Sequence, residues 1–60
     1  MNLSGKKILG VKVINIIEED AKAIEKMVND AVKKIDTDGK QILDIQITED
    51  NIFLILGQNT

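Results

Sequence analysis

Three clusters in this 60-residue sequence carry side chains whose types and spacing could do chemistry. Glu18, Glu19 and Asp20 stand in a row, as oxygen ligands of a hard cation could. Asp36, Asp38 and Gly39 resemble part of a calcium loop, and Gly5 and Gly10 have the spacing of the two glycines in a phosphate-binding loop. Each cluster fails on its neighbours. Setting Gly39 at the turn glycine of a calcium loop puts Lys34 at the first ligand position and Ile45 at the last, where acids are needed. Gly10 is followed by Val11 and Lys12 rather than by Lys and Ser or Thr, and it falls inside an expected strand. The acids are better read as helix-end and turn residues, so neither a metal nor a cofactor is expected.

Nucleophilic catalysis fares no better. The sole serine is Ser4, near the start, and the chain has no histidine or cysteine to serve as base, nucleophile or zinc ligand. A carboxylate pair working as acid and base needs a cleft that gives the two groups unequal environments. Asp44 is the one acid on an expected strand face, and the alternation around it already accounts for an outward, solvated position. The expectation is that the protein is not an enzyme.

The formal net charge is -2, with eight basic residues, all of them lysine, against ten acids. Without arginine the chain lacks the bidentate fork that commonly recognises phosphate and guanine, and with Phe53 as its single aromatic it has no stacking platform for bases. A nucleic-acid accessory role is the alternative reading. It would use Lys6, Lys7, Lys12 and Lys40, repeated over an oligomeric surface. The apolar stretch from Ile8 to Ile17 follows two lysines as a signal core would, but Lys12 interrupts it and no small-residue cleavage site follows. No run approaches the ~20 apolar residues of a spanning helix, and a cytoplasmic location is expected.

The elements that position these residues can be read from periodicity. Residues 1–60 are expected to form one domain, with 1–5 a flexible N-terminal arm. From Lys7 to about Asn15 the residues are aliphatic and β-branched, with Leu9, Val11 and Val13 on one face and Ile8, Gly10, Lys12 and Ile14 on the other. Between about Ile17 and Ile35 the period becomes 3.6, with Ala21, Ile24, Met27, Val28, Ala31 and Ile35 forming one stripe. Glu18 with Lys22 and Asp30 with Lys34 are spaced for ion pairs along that helix, and Gly39 suits a left-handed exit. Leu43, Ile45 and Ile47 alternate with Asp44, Gln46 and Thr48 in a second strand. A tight turn within Glu49, Asp50 and Asn51 then sets Ile52, Leu54 and Leu56 on the core face of a third, with Phe53 and Ile55 on the opposite face.

The fold class expected is α+β, a β-α-β-β chain with one helix on one face of a mainly antiparallel sheet. A Phe-Leu-Ile-Leu strand at an edge would invite aggregation, so the order 1-3-2, with the third strand in the middle, is preferred to the alternative 1-2-3, in which the first two strands pair in parallel. The face away from the helix is then expected to carry Ile8, Ile14, Ile42, Phe53 and Ile55, with Lys6, Lys7, Lys12 and Asp44 as its polar contacts. A chain this short buries a small core, and an apolar second face needs cover. The expected partner is another copy of the chain, with a different protein as the alternative. No membrane partner is expected. The functional expectation is a non-catalytic, homo-oligomeric interaction or regulatory module.

The VKV strand, EED helix start, acid- and lysine-rich helix and LDIQI strand between Val11 and Ile47 are similar to those of small sporulation-associated proteins of low-GC Gram-positive bacteria. That likeness spans about two thirds of the chain and implies a bacterial source. It departs at the short turn around Asp50, where the family has a longer insertion, and it brings no activity with it. The element order also resembles dodecins, flavin-storing shells of small β-α-β-β subunits. Those stack flavin on a tryptophan beside a glutamine; Gln46 stands in the second strand here, but the chain has no tryptophan. The dodecin likeness therefore implies oligomerisation and not flavin binding.

Overall fold

A computed structural model describes residues 7–58, so the arm 1–5 and Lys6 lie outside the described residues. The elements are β1 (Ile8–Asn15), α1 (Ala21–Thr37), β2 (Lys40–Ile47) and β3 (Asn51–Gln58). They form an α+β fold with one antiparallel sheet in the order β1-β3-β2, as the sequence predicts.

α1 begins later than the periodicity suggests. Glu19 N–H donates to the Ile16 carbonyl at 3.1 Å, closing a turn that holds Glu18 at φ 62°. Asp20 is extended and accepts from Ala23 N–H at 2.8 Å, so it is the helix's N-cap and Glu18 lies outside the first turn. The ion pairs along the helix are Lys26–Asp30 at 2.7 Å and Lys34–Asp38 at 3.8 Å, which take Asp30 and Lys34 one turn to either side of their expected pair and with lysine first in sequence. Its exit is the expected one. Asp38 N–H donates to the Lys34 carbonyl, and Gly39 takes φ 75°, a conformation that costs glycine little.

Topology dictates how α1 lies on the sheet. β1 ends beside the start of β3, with Asn15 opposite Asn51, while β2 begins beside the end of β3, with Lys40 opposite Gln58. The helix must therefore run diagonally from one corner of the sheet to the opposite one. Met27, Asp30 and Ala31 accordingly share a cleft with Ile14 and Asn15, and Val32, Ile35 and Asp36 share another with Lys40, Gln41 and Ile42. Among the described residues Ile14, Ala31, Ile35, Ile52, Leu54 and Leu56 are the buried core, and of these Leu54 alone is wholly enclosed. Ile16, Ile24, Met27, Val28 and Ile42 complete it at the margins.

β3 keeps the predicted parity, with Ile52, Leu54 and Leu56 buried under the helix and Phe53 and Ile55 half-buried on the other face. β1 departs from its predicted parity from Gly10 to Asn15, and β2 departs only before Asp44, since Ile45 and Ile47 stay on the helix side. Ile14 pairs with Ile52 and Lys12 with Leu54, so the Gly10, Lys12 and Ile14 face of β1 lies under the helix, and Val11 and Val13 face away. In β2 the register slips between Ile42 and Asp44, a bulge that puts Ile42 opposite Leu56 on the helix side. Ile14 and Ile42 are therefore core residues, not members of the open face.

Candidate interaction surface

The sheet's open face is built from cross-strand pairs. Val13 stands opposite Phe53 and Val11 opposite Ile55 on one side of β3, while Gln46 stands opposite Phe53 and Asp44 opposite Ile55 on the other. Directly opposed residues share a face, so Val11, Val13, Phe53 and Ile55 form a contiguous apolar strip. Ile8, more than half exposed, pairs with Gly57 at its end. Leu43 extends the strip, because its side chain lies over Gly57: a Cβ there would stand 2.7 Å from Leu43 Cδ1. Asp44 and Gln46 form a polar border, tied by a 2.6 Å hydrogen bond from Gln46 Nε2 to Asp44 Oδ2. No described element covers this face. Val11 and Val13 are each about half exposed.

Of the predicted contact residues, Ile8, Phe53, Ile55 and Asp44 are together on this face. Ile14 and Ile42 are under the helix for the reason given above. Lys7 is exposed just before β1, and Lys12 is exposed on the helix side. Lys12, Lys34 and Lys40 line one cleft of about 160 Å³ with Ala31, Ile35 and Leu56, and Asp38 stands among them. That carboxylate breaks the continuity of positive charge a phosphate backbone would favour.

The acids are spread out. Asp20 is engaged as a cap, and no three acids among the described residues converge as metal ligands do. No described helix is long and apolar enough to cross a membrane.

Sequence reasoning missed Val11, Val13 and Leu43 as open-face residues, although signals for each were present. Gly10 and Lys12 made their face of β1 look polar, yet Ile14 and Ile16 continue it into the core. Gly57, in a strand otherwise built of large apolar residues, marks the close approach of another side chain, here Leu43. No protein family, curated protein or solved structure matches the chain.

Proposed function

We propose that this protein is a non-catalytic module that works as a homo-oligomer, joined through the open face of its sheet. The observation carrying this reading is the strip of Val11, Val13, Phe53 and Ile55 with no described element over it. A two-layer domain needs only one apolar sheet face, so the second calls for a partner. Burying an aliphatic or aromatic side chain contributes about 1.5–3 kcal/mol, and a core of six buried residues among those described leaves a small domain in need of that gain. The lack of histidine and cysteine, and of any cluster of three acids among the described residues, supports a role in binding rather than catalysis.

Sedimentation at micromolar concentration tests the proposal. The wild-type chain is expected to sediment as an oligomer, and Val13→Lys, at a site already about half exposed in the single chain, to reduce its mass without loss of the helix signal. Phe53→Asp should act likewise, since an unpaired buried charge costs several kcal/mol. Ile52→Asp is the contrasting variant: it strikes the core beneath the helix and should prevent folding. A wild-type chain that is monomeric and stable overturns the proposal.

A further inference from the structure

The diagonal helix leaves two corners of the sheet's inner face uncovered, and the two are chemically unlike. At the β1 corner Gly10 has no side chain to cover and Lys12 is exposed along the cleft it shares with Lys34, while a bulge at Leu9, 44% exposed, interrupts the pairing of the strand. At the β2 corner stand Ile45 and Ile47, paired with Leu54 and Ile52 on the helix side yet 50% and 71% exposed. Backbone groups at the same place are also free. Thr48 N–H donates to the Asn51 carbonyl at 2.8 Å across the hairpin. By antiparallel alternation, Gln46 then turns its N–H and C=O toward β3, and Ile45 and Ile47 turn theirs outward from the sheet edge. Two exposed isoleucines and their unpaired peptide groups thus coincide on one short stretch of edge.

We propose that this edge of β2 pairs antiparallel with the β2 edge of a second copy, about a two-fold axis passing through Gln46. The register follows from the residues. With the axis at Gln46, Ile45 faces the partner's Ile47 and Ile47 the partner's Ile45, while Asp44 faces the partner's Thr48, so no like charges meet. An axis at Ile47 sets Asp44 against the partner's Asp50. An axis at Ile45 sets Ile47 against the partner's Leu43, which the bulge turns to the other face. The β1 edge does not offer the same fit. There Ile16 N–H bonds to the Asp50 carbonyl, so Val11 and Val13 have the outward peptide groups, and the register that pairs them opposes Lys12 to its own copy. The result of β2 pairing is one continuous six-stranded sheet, with the four isoleucines in the gap between two helices. It deepens the homo-oligomer reading while using a surface distinct from the open face.

A single thiol tests it, because the chain has no cysteine of its own. Gln46 lies at the axis as a non-hydrogen-bonded pair, which sets its Cα about 4.5 Å from its symmetry mate, within disulfide reach. Gln46→Cys is expected to form a disulfide-linked dimer under mild oxidation. Asp44→Cys, whose mates would be about 13 Å apart along the strand, is not. Adding Ile47→Lys to Gln46→Cys should abolish the cross-link, and adding Val13→Lys should leave it intact. Absence of the Gln46→Cys link, equal linking by Asp44→Cys, or loss of the link on adding Val13→Lys each overturns β2 pairing. A surviving link beside unchanged wild-type mass in Val13→Lys would instead remove the open-face reading alone.

Discussion

Gly57 and Leu43 show how a single missing side chain shapes this fold. Leu43 Cδ1 and Cγ occupy the space a Cβ on Gly57 would need, at 2.7 and 2.9 Å. Gly57→Ala therefore has to displace Leu43, and overpacking of this kind costs about 1–3 kcal/mol. Shortening Leu43 should remove the conflict, so Gly57→Ala with Leu43→Ala is expected to be less destabilising than the sum of the two changes. A double-mutant cycle in urea measures this. Strict additivity would mean that the leucine does not rest on the glycine. Glu18, at φ 62°, is the opposite case: a residue with a Cβ held where glycine would sit more easily, so that Ile16–Glu19 can close before Asp20 caps the helix.

Among the elements, α1 carries the clearest local electrostatics. The Lys26 ammonium, hydrogen-bonded to Asp30 at 2.7 Å, holds the Asp30 carboxyl below the usual carboxylate range, and Asp30 in turn raises Lys26. A carboxyl whose folded value is depressed lends stability above its unfolded value, and that contribution is lost as pH falls through the folded one. Asp30→Asn should accordingly soften the acid limb of the melting-temperature profile, and the difference from wild type should fade at about 1 M salt, where the Debye length is about 3 Å. Unchanged acid limbs in both proteins would show that the exposed pair contributes nothing. The strands differ in how far the sequence reveals them. β3 was readable because a tight turn ties its parity to β2, so fixing Ile47 opposite Ile52 also fixes every residue after it. β1 has no such tie, since a helix separates it from its partner strand, and Gly10 and Lys12 make its core face the less apolar of the two. Clean alternation in β2 hid the bulge, because Leu43 suits either face and only Gly57, on another strand, makes room for it.

For the molecule as a whole, thinness governs what it must do. Its backbone spans 36 × 24 × 13 Å, and the described elements make two layers, so most of their apolar side chains lie close to a surface. The strand order that puts β3 in the centre has a further effect, on time. Of the three described strands β3 alone touches both others, and it is made after them. Until it emerges, β1 and β2 have no hydrogen-bonding neighbour, and the Val11–Val13 stretch is exposed with nothing to pair with. Once it is present, the β2–β3 hairpin can close locally, whereas Val13 must find Phe53 across the whole intervening helix. The hairpin is therefore expected to be formed at the folding barrier and β1 to dock after it. Ile14→Val, costing about 1 kcal/mol, should speed unfolding and leave the folding rate near that of wild type, while Leu43→Ala should slow folding, as stopped-flow chevrons would show. The reverse pattern would mean that β1 is already in place at the barrier. If β1 does dock last, each new chain passes through an interval in which a finished hairpin offers Phe53 and Ile55 beside an empty strand position. In that interval a neighbour's β1 could fill the position as readily as its own, so crowding of nascent chains, rather than heat, is the hazard this topology carries.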